Sequence, residues 1–76
     1  MSSVSFSQLS IGSKFRITNI ESDHKLRRRL MSLGIAIGNE LELMQLRKGG
    51  IVVAKNGNRV ALGDGITQFL KVEVVE

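Results

Sequence analysis

Few residues in this chain have chemistry to offer, and they are widely separated. His24 is the only histidine, with Asp23 before it. A metal ion needs several convergent ligands, so one imidazole beside one carboxylate is read as ordinary surface. Glu40 and Glu42 are two apart in an alternating stretch and would share one face of a strand. Without a nucleophile or a base beside them, such carboxylates are a wet strand face rather than an acid/base pair. There is no cysteine, which excludes a disulfide framework, a thiolate zinc site and a catalytic thiol. The glycines of "GDG" and "RKGG" lack the Lys-Ser/Thr ending and following helix of a phosphate loop, so they are read as turns. What remains is the basic run in "KLRRRLM": Lys25, Arg27, Arg28 and Arg29, with Met31 as an apolar neighbour. It is either a solvated helix face or an electrostatic contact for an acidic partner. Arginines in the middle and end of a helix complement its negative C-terminal dipole but do not build a phosphate-binding N-terminus.

The elements that hold these residues follow from the apolar pattern. "SKFRITNI" has a period of two, with Phe15, Ile17 and Asn19 expected on one face. Ser22 or Asp23 can cap a helix start and Gly34 can take the left-handed conformation that ends it, which predicts a helix of about three turns between them. At 100° per residue Leu26, Leu30 and Leu33 form one narrow stripe, expected to face the core. "NELELMQL" alternates and then slips at Met44, where a bulge or bend is expected. Gly49 and Gly50 are expected to supply positive φ to a tight turn, and the Asn-Gly of "NGN" is a strong hairpin signal between "IVVAK" and "RVAL". "GDGITQF" reads as a turn with a single helical turn, and "LKVEVV" as a closing strand. The expectation is a mainly β domain: a small five-stranded barrel with one α-helix inserted after the first strand. Residues 1–8 are expected to be an N-terminal extension and residues 9–76 a single domain.

Seventy-six residues with 42% hydrophobic content suit one domain near the lower size limit for a self-sufficient core. The N-terminus has neither a basic n-region nor a long apolar run, and no stretch approaches the roughly 20 apolar residues of a membrane span. A soluble, cytoplasmic protein is expected. A net charge of +4 favours acidic partners, nucleic acid among them. With only three aromatic residues, all Phe, the chain is poorly equipped to stack bases.

The order of these signals resembles the family of ferrous-iron transport protein A (FeoA) over roughly residues 9 to 75. The resemblance rests on "LRRRLMSLGIAIGNELEL", in which the Leu26/Leu30/Leu33-Gly34-Ile35 helix end is followed by Gly38 and an alternating strand, with "RVAL" as a second anchor. Where many members carry proline before the second glycine, this chain has Ile37. The resemblance implies an SH3-like small barrel, cytoplasmic and non-enzymatic, that acts with the cytosolic GTP-binding domain of the membrane transporter FeoB and reaches the membrane only through it. Fe²⁺ is then the transported ion, with no cofactor or direct metal site evident in this chain. Lys25, Arg27, Arg28, Arg29 and Met31 are the expected partner contacts. The alternative is a nucleic-acid-binding small basic β-barrel.

Overall fold

Every strand signal in the sequence becomes a strand, joined through turns that need no long connection. The computed structural model describes residues 6–75; residues 1–5 of the expected extension, and Glu76, lie outside them. A 3₁₀ turn (Phe6–Gln8) leads into β1 (Lys14–Ile20), α1 (His24–Ser32), β2 (Glu40–Arg47), β3 (Gly50–Lys55), β4 (Asn58–Gly63), the one-turn α2 (Asp64–Thr67) and β5 (Leu70–Val75). The strands form one antiparallel sheet in the order β4-β3-β2-β1-β5. One sheet face carries Phe15, Ile17, Leu41, Leu43, Ile51, Val53, Leu62, Leu70 and Val72, all buried, and Phe6, Leu9, Ile20, Leu30 and Ile35 join the core with them. Phe6 packs edge-on against Phe15 with ring centroids 5.3 Å apart, so part of the expected 1–8 extension covers the core.

Two irregularities set the strand faces. Between β2 and β3 the register skips Met44, as the sequence slip predicts. A second skip in β1, at Thr18 opposite β5, has no signal in the alternation. It reverses the facing of the strand end: Ile20 is buried and Asn19 exposed, so Asn19 does not share the face of Phe15 and Ile17 as expected. An extra residue in one strand flips every later side chain to the other face, and burying Ile20 rather than an amide is the favourable outcome.

The glycine turns divide by purpose. Asn56 and Gly57 both have positive φ, 51° and 84°, which is the twist-matched two-residue hairpin that Asn-Gly favours. Gly49 has φ of 90°, but Gly50 does not share it. A Cβ at Gly50 would run into the backbone carbonyl of Leu62 across the ladder, so its glycine serves a close strand approach rather than a turn.

The helix is closed at both ends by local hydrogen bonds. Asp23 is the N-cap, its carboxylate accepting from the Leu26 amide at 3.0 Å. At the other end the Gly34 amide donates to the Met31 carbonyl at 3.0 Å and the Ile35 amide to the Leu30 carbonyl at 2.9 Å. With Gly34 at φ 83°, this is a Schellman closure, and the two residues it brings together, Leu30 and Ile35, are both fully buried.

The apolar stripe of α1 does not face the core as drawn from the sequence. On the wheel Leu33 lies about 60° to one side of Leu30 and Arg27 about 60° to the other. Leu30 is fully buried and Leu26 packs partly against the core, yet Leu33 is 47% exposed. Arg27 is instead the half-buried flank, its guanidinium donating from Nε and Nη2 to the Ile20 carbonyl at 3.1 and 2.8 Å. The helix is rolled towards the end of β1, where the guanidinium joins the Ser22 amide on the Ile20 carbonyl, and Leu33 is turned out.

These placements separate three substitutions by stability, measured as urea midpoints at constant m. Leu30→Ala is expected to cost about 2–5 kcal/mol through the cavity it leaves. Leu33→Ala is expected to stay within about 1 kcal/mol, as surface positions do. Arg27→Met, which keeps the aliphatic stem but removes both donors to Ile20, is expected to cost about 1–2 kcal/mol.

Candidate functional site

The basic run occupies a helix with no acidic residue of its own: α1 reads HKLRRRLMS. Its apolar and capping residues fix it on the sheet, and its cations distribute around the arc that remains. Lys25, Arg28 and Arg29 are exposed, while Arg27 is drawn against the end of β1. The five residues expected as partner contacts are therefore not brought together as one set. Arg27 is engaged with backbone. Met31, 63% exposed, lies about 100° from Leu30 on the Arg27 side, away from the flank on which Arg29 and Leu33 sit.

Two other cations are engaged in ion pairs on the sheet. Arg16 bridges three strands, donating from Nη2 to Glu40 at 2.9 Å and from Nη1 to Glu73 at 3.0 Å. Glu40, then Glu73, raise the guanidinium's pKa further above its ordinary value, so it stays charged. Lys71 pairs with Glu21 at 3.4 Å. Among the described residues, none of these ion pairs includes Lys25, Arg28 or Arg29.

Lys55 is a residue the sequence reading overlooked. Its ammonium donates to the Gly34 carbonyl at 2.9 Å, and the Asn39 amide donates to the same oxygen at 2.7 Å. A cation at a helix C-terminus meets the negative end of the dipole, and here it comes from the β3–β4 hairpin. The bond pins the turn after α1 to the sheet. Its only sequence trace is a lysine before Asn-Gly, which by itself reads as solvated surface.

The described residues with chemistry to offer are not brought together. His24 is exposed at the first position of α1, and the described residues include no group of three His, Cys, Asp or Glu side chains placed to share a metal ion. Glu40 is held by Arg16, and Glu42 is half-buried on β2. Asp23, Lys25, Leu26 and Arg29 line a shallow depression of about 290 Å³ on one flank of the helix. None of the described helices is long and apolar enough to cross a membrane.

Comparison with known proteins agrees with this geometry. The chain is 28% identical over 65 residues to a Methanocaldococcus jannaschii protein assigned by name as an Fe(2+) transport protein A, covering 86% of this chain and 79% of that one. It superposes on the crystal structure of an iron uptake regulatory protein (FeoA) with a TM-score of 0.84 at 27% identity, covering 97% of this chain and all of the other. The solution structure of iron(II) transport protein A from Clostridium thermocellum gives a TM-score of 0.81 at 27% identity, over 95% of this chain and 46% of that one. The curled five-stranded sheet with its single inserted helix is the SH3-like barrel of these structures. Since the FeoA domain model also matches residues 4–74, nearly the whole length, the chain belongs to the FeoA domain family.

Proposed function

We propose that this protein is a cytoplasmic accessory of ferrous-iron uptake that catalyses no reaction itself and acts by docking on the cytosolic GTP-binding domain of the transporter FeoB. Membership of the FeoA family supports the pathway, as do the names of the relatives, which speak of Fe(2+) transport and of iron uptake regulation. Fe²⁺ enters this reading as the transported cargo. The observation that carries the docking mode is the exposed cationic arc of α1. Lys25, Arg28 and Arg29 stand on a helix without acids and outside the ion pairs that engage Arg16 and Lys71. Unpaired cations of this kind raise the encounter rate with an acidic surface and set its register. Met31 is the apolar neighbour of that arc.

A second reading, a nucleic-acid-binding barrel, draws on the same cations and on the net charge of +4. It makes a different demand on salt. Counterion release gives log K a slope of about −0.7 to −0.9 per phosphate neutralised, so the three cations of the α1 arc on their own would bind only feebly at physiological ionic strength.

Two measurements separate these readings. Arg28→Glu is expected to leave the thermal midpoint within a few degrees, as an exposed change does, while weakening association with the transporter's cytosolic domain about fivefold or more in calorimetric titration. An unchanged affinity would remove Arg28 and its side of the α1 arc from the docking surface. Fluorescence anisotropy with duplex DNA and single-stranded RNA at about 50 mM salt is expected to show no saturable binding; tight binding with a steep salt slope would replace the transporter reading by the second one.

A further inference from the structure

The roll of α1 that draws Arg27 inward exposes a flank that the apolar pattern would have hidden. Leu26 is only partly covered, Leu33 is 47% exposed, and the two lie seven residues apart, about 10 Å along the helix axis. Between and beside them stand Lys25 and Arg29, and the depression of about 290 Å³ opens at the Leu26 end of this strip. Asp23, the one carboxylate there, is committed to capping the Leu26 amide. The flank is thus apolar along its centre and cationic along its rim. Met31 faces the opposite side, about 160° away from Leu33 on the wheel.

We infer that the Leu26–Leu33 flank of α1, rimmed by Lys25 and Arg29, is a docking groove for an acidic amphipathic helix of a partner protein. This rests on the docking function proposed above and names the side of α1 that is used and the chemistry of its occupant. The occupant is chosen by charge. The strip carries unpaired positive side chains and no free carboxylate, which disfavours a second copy of this +4 chain and favours an acidic surface. Its length is chosen by spacing. Two leucines two turns apart match apolar residues at i and i+7, or i, i+3 and i+7, on a helix laid alongside, with acidic residues at the adjoining positions reaching Lys25 and Arg29. Leu33 is the anchor expected to matter most, since its exposed methyl groups have the most water to lose and its removal does not unseat the core.

The test uses two probes. The first is the transporter's cytosolic domain, titrated by calorimetry against the wild-type chain and against Leu33→Ser, Arg29→Glu and Met31→Ser, each shown by circular dichroism and thermal melting to be folded. Leu33→Ser and Arg29→Glu are expected to weaken binding about tenfold or more, and Met31→Ser by less than about twofold. The reverse order overturns the inference while leaving the docking function standing. The second probe is a synthetic acidic amphipathic helical peptide, titrated into ¹⁵N-labelled protein. Amide shifts are expected at Leu26, Arg29 and Leu33, and to vanish in Leu33→Ser. If the cytosolic domain fails to bind, the proposed function falls, and the peptide experiment still decides the groove: shifts confined elsewhere, or none at millimolar peptide, overturn it. Two further outcomes would also overturn it. One is concentration-dependent dimerisation abolished by Leu33→Ser, which assigns the strip to a second copy. The other is cosedimentation with phosphatidylglycerol but not phosphatidylcholine vesicles, lost in the same variant, which assigns it to lipid.

Discussion

The structure depends on how α1 is seated, and that seating depends on one closure. The left-handed turn at Gly34 lets the Ile35 amide reach back to the Leu30 carbonyl, which places Leu30 and Ile35 together in the core from opposite sides of the turn. Each of these side chains is worth about 1.5–3 kcal/mol of burial. Without the closure, the chain could not enter the core as a helix and return at once towards β2. The Gly34 carbonyl left over by it is satisfied by Lys55 and Asn39, so the sheet and the loop both hold the same point. A domain of this size has few such points, and this one ties α1, the longest of the described helices, to the barrel.

Around that fixed point the sheet adapts by irregularity. The skips at Thr18 and Met44 fall in β1 and in its neighbour β2, the central strand of the sheet. Across β1, Arg16 links β2 and β5 through Glu40 and Glu73 on the solvent side. Exposed pairs contribute little individually, but a guanidinium shared by two strands restrains how far they splay. That part of the barrel's charged face is occupied with its own structure, and three further exposed cations stand on α1. Arg16 and Lys71 are engaged on the sheet, whereas Lys25, Arg28 and Arg29 of α1 stand outside those ion pairs.

Much of this was readable in the residues because it is local. Asp23 caps the helix, Gly34 ends it, Asn56-Gly57 turns the hairpin and Met44 marks a bulge; each is set by backbone geometry within four or five residues. The second bulge was not readable, because Thr18 is as compatible with regular pairing as with a skip, and only the partner strand β5 decides. Gly50 suits a turn on the same local logic, whereas its requirement comes from a carbonyl twelve residues away in sequence and adjacent in space.

The candidate site divides along the same line. The sequence by itself determined that a short amphipathic helix carries Lys25, Arg28 and Arg29 without a single acid, because composition and a period of 3.6 residues need no neighbours to be true. Which way that helix is rolled was decided only by tertiary structure. Leu33 and Arg27 are equally displaced from Leu30 on the wheel, and hydrophobicity alone selects Leu33 for the interior. At the end of β1 it is Arg27 that takes the inner flank instead, its guanidinium adding two donors to the Ile20 carbonyl, which also accepts from the Ser22 amide.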